Sequence, residues 1–248
     1  MNPEGTRLRV LTYNIFIGTG MDKKIDLERT ARVIRSASPD LVALQEVDRW
    51  ARRSAGVDQP AELARLTGLN MAFGKASVRE GSDEHGGDYG NAILTRLPIN
   101  WYATRQLPFT PGFELRCVLE VELDWRPGGK NLPLRFFATH FDNASADDRL
   151  ASAKLLVQLA NQRPEALSIL AGDLNAVPSS EPLGLLRQAW QLAGDGQEHP
   201  TFPADNPRRQ LDYILFRPAE RWKVSEFRVL DEGTASDHRP VLAVLELL

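Results

Sequence analysis

The chain has a single cysteine, Cys117, among its 248 residues. One thiol makes no internal disulfide, and a thiolate zinc site needs several at close spacing, so neither can organise this fold. Cys117 therefore reads as a core residue. Long apolar runs are missing as well: the most apolar stretch, residues 241–248, is far too short to span a bilayer and suits a last core strand. There is no surplus of positive charge, the net charge being -3, so nothing draws the whole chain to a polyanion as a basic duplex-binding protein is drawn. Arg49, Arg52, Arg53 and the pair Arg208, Arg209 are the notable basic clusters, and each reads as solvated surface. No Pro/Gly-rich linker, charge block or repeat of solenoid period interrupts the sequence, so one domain is expected over residues 1–248. A strand-like run begins by Leu8 with no basic segment and apolar segment before it, so a cytoplasmic location is expected, a trimmed signal peptide being the alternative.

What the sequence does have is apolar strands that end on polar side chains. Leu11-Thr-Tyr-Asn14, Leu41-Val-Ala-Leu-Gln-Glu46, Phe136-Phe-Ala-Thr-His140 and Ser168-Ile-Leu-Ala171, the last running on to Asp173 and Asn175, share this grammar. Between them the pattern predicts a helix from about Asp26, stopped by Pro39, a helix with Pro60 as its first residue, and a capped helix from Ser145 to Asn161. Residues 80–90 read as a polar loop leading into a strand at Asn91 to Thr95, and Glu181 to Ala189 as a short helix. Leu115, Cys117, Leu119, Val121 and Leu123 alternate with Arg116, Glu120 and Glu122, the period of a half-buried strand whose neighbour is Leu134 to Thr139. Three strands, around 211–216, 224–230 and 240–247, close the chain. Mixed strands and helices with hairpin-like pairs predict an α/β protein in which two sheets pack against each other under helices.

If the strand ends meet, they assemble Asn14, Glu46, His140, Asp173, Asn175, Asp212 and the pair Asp237-His238. Glu46, Asp173, Asp212 and Asp237 cannot all stay ionised at close range without a cation. Oxygen donors select a hard ion, Mg²⁺ or Mn²⁺, over zinc, since the chain has only four histidines and His85 and His199 lie outside these segments. A divalent ion, a carboxylate that orients or deprotonates water, and imidazoles that donate to an anionic oxygen are the parts needed for in-line attack on phosphorus. Ser236 lacks the strand-turn-helix setting of a nucleophile elbow, so no serine nucleophile is expected.

The ordered set Tyr-Asn14, Leu-Gln-Glu46, Tyr-Gly-Asn-Ala-Ile-Leu94, Thr-His140, Gly-Asp-Leu-Asn175, Leu-Asp212-Tyr and Ser-Asp-His238-Arg-Pro resembles the endonuclease/exonuclease/phosphatase superfamily over nearly the whole chain. The resemblance implies a four-layer α/β sandwich, two mixed β-sheets packed face to face and flanked by helices, with a divalent-metal site at one edge. It further implies Glu46 as the principal metal ligand with Asn14 beside it, Asp237 as a residue that binds or steers metal, and Asp173 and Asn175 as the residues that position water and phosphate. His238, oriented by Asp212, and His140 would contact the phosphoryl group, with either Asp173 or His238 as the base. Phe16 stands where abasic-site endonucleases place an acid, and Ser152 where family members often have Gln three residues after an Arg, here Arg149. The stretch from Glu46 through Arg53-Ser54 and Asp58-Gln59 is similar to bacterial members and to domains of lipid-anchor remodelling proteins. With the acidic balance, these features lead us to expect a monomeric phosphodiesterase acting on a small or lipid-derived phosphoester, a nuclease on DNA or RNA as the alternative, and a silent binding module as a third reading.

The plain readings stand beside these. A single Asn or Asp at a strand end is usually a turn former or cap. Asp142 and Asn143 serve the site or shape the turn after His140. Asn91 approaches substrate or merely starts a strand. Arg116 reaches a phosphate or, the better reading, points outward from a half-buried strand. His85 and His199 read as surface residues. Trp50, Trp101, Trp125, Trp190 and Trp222, not interleaved with basic residues, read as core or rim packing.

Overall fold

A computed structural model describes residues 5–82 and 86–248; His85 lies outside the described residues. The strands are β1 (Arg7–Asn14), β2 (Leu41–Arg49), β3 (Asn70–Arg79), β4 (Gly87–Thr95), β5 (Ile99–Gln106), β6 (Cys117–Trp125), β7 (Leu132–His140), β8 (Leu167–Asp173), β9 (Gln191–Leu192), β10 (Asp212–Arg217), β11 (Trp222–Val229) and β12 (Val241–Leu247). Four α-helices are described, α1 (Leu27–Ala37), α2 (Gln59–Thr67), α3 (Ala146–Asn161) and α4 (Glu181–Leu186). The strands form two six-stranded sheets, ordered β11-β12-β1-β2-β4-β3 and β5-β6-β7-β8-β10-β9. Each sheet has one parallel pair at its centre, β1 with β2 and β7 with β8, and antiparallel strands outside it. The expected four-layer sandwich is what the chain adopts.

The central strands read as continuous apolar runs because both faces are covered. Alternate residues serve different cores. Leu8 and Val10 of β1, Leu41 and Ala43 of β2, and Leu134, Phe136 and Ala138 of β7 point between the sheets, whereas Leu11 and Tyr13 pack with Ala31 and Ile34 of α1. On the other side Phe137 and Leu170 pack with Leu156 and Leu159 of α3. Helix ends follow their side chains: Asp26 accepts from Arg29 N–H, Asp58 from Ala61 N–H, and Ser145 from Asp148 N–H, each satisfying an otherwise open donor of the first turn. No helix among the described residues is long and apolar enough to cross a membrane.

Three expectations need correcting. The strand carrying Glu120 is not half-buried. α3 lies over its outer face, and Glu120 is buried, paired at 2.7 Å with Arg135 Nε, whose guanidinium also donates to Leu159 O of α3. Part of the expected loop at 80–90 is β4, which begins at Gly87. β3 and β5 are additional strands; β5 is a sheet edge whose residues are largely exposed, so no apolar alternation marks it in the sequence.

Removing one member of the Glu120–Arg135 pair leaves an uncompensated ion under α3. Arg135→Ala or Glu120→Ala should each cost about 3–5 kcal/mol. The joint replacement Glu120→Leu/Arg135→Met should be close to neutral, as read by urea unfolding midpoints.

Candidate active site

The C-terminal ends of β1, β7 and β8 carry Asn14, His140 and Asp173, and the register places His140 beside Asp173 and Asp173 opposite Asp212 at the start of β10. The tight approach of β7 to β8 needs Gly172: a Cβ there would lie 2.0 Å from Thr139 O. Glu46 arrives differently. β2 does not end at Glu46 but runs on to Arg49, and the pairing with β4 slips between Leu44 and Val47. Glu46 sits in that bulge with φ 57, a left-handed conformation unusual for a non-glycine residue. The bulge takes its side chain out of strand alternation and delivers it to the sheet rim.

The side chains converge on one oxygen. Asp173 Oδ2 accepts from Asn14 Nδ2 at 3.1 Å and lies 3.4 Å from His140 Nε2 and 3.6 Å from His238 Nε2. Its other oxygen accepts from the Asn175 N–H at 2.8 Å, which fixes the plane of the carboxylate. Asn14 Nδ2 also lies 3.2 Å from Glu46 Oε1 and so ties the two acids of opposite sheets through one amide. His238 Nδ1 is 2.9 Å from Asp212 Oδ2, which also accepts from the Thr201 hydroxyl at 2.5 Å. Ser236 donates to Asn14 O at 2.7 Å, pinning the Ser-Asp-His segment to the end of β1. The Asn175 amide donates to Phe141 O at 3.0 Å and lies 3.1 Å from His140 Nε2.

Asp173, Asp212 and His238 are all buried. Burial opposes ionisation of Asp173, but the charge of His238 and the hydrogen bonds from His140 and the Asn175 N–H outweigh it and hold its carboxyl well below the usual range. Burial likewise opposes protonation of His238, yet Asp212 and Asp173 beside it push the imidazole from 6.5 to about 10. Asp212 has one oxygen, Oδ1, buried without a hydrogen-bond partner among the described residues.

Asp173, Asp212 and His238 can each offer one ligand atom within 4.8 Å of the others, a grouping able to hold a metal ion. The hydrogen bond between His238 Nδ1 and Asp212 makes the three read more directly as a proton-sharing set. Glu46 and Asp237, both half-buried, form no ion pair with a Lys or Arg among the described residues.

The remaining expected residues fall as follows. Asn91 is buried with its Nδ2 donating to Cys117 O at 2.9 Å, so it links β4 to β6. Asp142 shapes the turn after His140 by accepting from Ala144 and Ser145 N–H, and Asn143 is exposed. Arg116 does not point outward. It is 5% exposed and directs Nη1 at His140 Nδ1, 2.9 Å away, because it immediately precedes β6, whose first residues pair with the end of β7. His199 packs on Phe227 and pairs with Asp195. Trp125 and Trp222 stack in the core, while Trp101 is half exposed. Thr201, Glu114 and Tyr89 line this network and were not picked out; Thr201 had no signal, since a lone Thr in a loop is unremarkable, whereas Tyr89 stood inside the Tyr-Gly-Asn-Ala-Ile-Leu segment.

A sequence profile of the Endonuclease/Exonuclease/phosphatase family matches residues 11–238, a span that includes every strand end just described. The chain belongs to this family. Its members are hydrolytic phosphoesterases. The chain is 27% identical over 256 residues to the uncharacterized protein YbhP of Escherichia coli K12, with 96% of each chain covered. A solved endonuclease/exonuclease/phosphatase structure from Beutenbergia cavernae superposes with a TM-score of 0.80 at 28% identity, covering 97% of this chain and 72% of that one. A mannosyl-6-phosphatase of Bacteroides thetaiotaomicron shares the fold with a TM-score of 0.75 at 17% identity, covering 97% of this chain and 99% of that one.

The raised His238 gives a pH signature in metal-free protein. A group whose folded value exceeds its unfolded value contributes stability in full below the unfolded 6.5, and that stability is lost as pH rises through about 10. Thermal unfolding in EDTA at pH 6 and pH 9.5 should show a fall across this window in the parent chain and a smaller fall in His238→Gln.

Proposed function

We propose that this chain is a divalent-metal-dependent phosphoric ester hydrolase that cleaves a small or lipid-derived phosphodiester by in-line attack of an activated water. The observation that carries the reading is the meeting at Asp173 Oδ2 of an amide and two imidazole Nε2 atoms, one ring held by Asp212. The residues fit a hard cation: Glu46 has one neutral donor, Asn14, and no ion pair among the described residues, Asp237 likewise has none, and buried acids stand beside them. Glu46 and Asp237 would hold Mg²⁺ or Mn²⁺, with Asn14 beside them through the lone pair of Oδ1 left over from its bond to Phe16 N–H. When bound, the ion would polarise the phosphoryl group and steady the leaving oxyanion.

The chain's own residues account for the rest. Asp173, which accepts from Asn14 and the Asn175 N–H and faces two imidazoles, stays a carboxylate and is the acceptor for a proton from the attacking water. His238 donates Nδ1–H to Asp212 and, held as the imidazolium by Asp212 and Asp173, also carries a proton on Nε2 that it can donate to the phosphoryl oxygens. His140 and Asn175 converge from β7 and the loop after β8 as further donors. A nuclease reading has less support, since the three arginines around residue 50 are spent on neighbours: Arg49 on Asp58 at 2.9 Å, Arg52 on Glu80 at 2.6 Å and Arg53 on Asp48 at 2.7 Å. The mannosyl-6-phosphatase sharing this fold makes a phosphomonoester the natural comparison substrate.

Bis-p-nitrophenyl phosphate should be hydrolysed with Mg²⁺ or Mn²⁺, not in EDTA, and again once metal is restored. Asp173→Ala and His238→Ala should each lower kcat by about 10²–10⁴-fold; full activity in both would remove the proposal. Parallel assays of plasmid nicking, phosphocholine and inositol phosphate release, and sugar-phosphate hydrolysis should favour the small or lipid-derived esters over DNA.

A further inference from the structure

The Arg116 guanidinium is held on three sides. Nη2 pairs with Glu114 Oε2 at 2.8 Å, Glu114 is in turn clamped by Arg79, and Nη1 lies 3.3 Å from Tyr89 Oη and 2.9 Å from His140 Nδ1. A guanidinium has donors only. At 2.9 Å from it, His140 Nδ1 must therefore be the bare, accepting nitrogen, because a ring carrying a proton there would set one buried N–H against another.

The consequence lies on the opposite side of the ring. With Nδ1 accepting, the imidazole proton resides on Nε2, which lies 3.4 Å from Asp173 Oδ2. Asn175 Nδ2 is 3.1 Å from that same Nε2, and one of its hydrogens already goes to Phe141 O. The second Asn175 hydrogen and the His140 Nε2–H, which faces Asp173 Oδ2, are then two donors 3.1 Å apart, and an anionic oxygen arriving beside Asp173 would take the one and share the other. A ring in the other tautomer would present an acceptor there and offer such an oxygen only one donor.

We propose that Arg116 is a positioning residue: by donating to His140 Nδ1 it fixes the Nε2–H tautomer and creates, with Asn175, a two-donor seat for a phosphoryl oxygen. The seat deepens the hydrolase reading and rests on it; the tautomer does not. Arg116 acts through His140 and not on substrate, because its guanidinium is enclosed by Glu114, Tyr89 and His140 and the residue is almost wholly buried.

The direct test is a long-range ¹H–¹⁵N correlation spectrum of metal-free protein labelled at histidine nitrogens, with His140 assigned by its disappearance in His140→Gln. The expected result is a non-protonated Nδ1 and a protonated Nε2 in the parent chain, and tautomer exchange in Arg116→Met/Glu114→Gln. That double variant removes both charges together, so no buried ion is stranded. A protonated Nδ1 in the parent, or an unchanged spectrum in the double variant, would overturn the proposal. With bis-p-nitrophenyl phosphate and Mn²⁺, the double variant should lose roughly 10–10²-fold in kcat with little change in KM. Added to His140→Gln, it should cost nothing further, since both act through one group. Losses that multiply, or a loss confined to KM, would mean that Arg116 meets the substrate itself. If no phosphoester is turned over under any condition, the hydrolase reading fails and with it the phosphoryl seat, whereas the spectrum still decides the Arg116–His140 tautomer.

Discussion

A single carboxylate oxygen, Asp173 Oδ2, is the point through which the two sheets are joined at the site. It takes an amide hydrogen from Asn14, which belongs to the other sheet, and faces an imidazole from its neighbouring strand and another from the segment before β12. A buried carboxylate is costly unless donors surround it, and this one is enclosed by them, so its ionised state and the positions of the four segments depend on one another. The tight strand contact at Gly172 and the Asn175 N–H on the other oxygen leave the group little freedom.

The electrostatic plan follows from that centre. Away from the site, charges are neutralised locally: the arginines around residue 50 each meet an acid, and even the buried Arg135 has Glu120. At the rim, Glu46 and Asp237 form no ion pair with a Lys or Arg among the described residues, close to a buried acid that already holds two imidazoles. Such an imbalance destabilises the protein taken alone. It is the kind of local excess that a hard cation relieves, and it sits where the family match and the strand ends coincide.

The two histidines around Asp173 are supported in opposite ways. His238 donates from Nδ1 to a carboxylate, whereas His140 receives at Nδ1 from a guanidinium. Two rings that look alike in sequence thus have different proton arrangements, set by the group behind each. The backing residues, Asp212 with Thr201 and Arg116 with Glu114, come from β10 and its preceding loop and from the approach to β6.

Much of this was legible in the residues themselves. The α/β sandwich followed from apolar strands with polar ends and from helix starts at Asp26, Pro60 and Ser145, because burial periodicity and helix-start signals are local. The ordered polar strand ends also named the family. Other features could not be read locally. Glu46 reaches the rim through a bulge, which depends on pairing with a distant strand. Glu120 and Arg116 read as outward because alternation reports which face a residue takes, not what lies over that face, and here a helix and the end of β7 do. The sequence by itself determined the chemical inventory, carboxylates, amides and imidazoles at strand ends, since residue type and local pattern are enough for that. The tertiary structure alone decided which oxygen they share and which nitrogen of each ring faces it, because hydrogen-bond direction is a property of groups brought together from far along the chain.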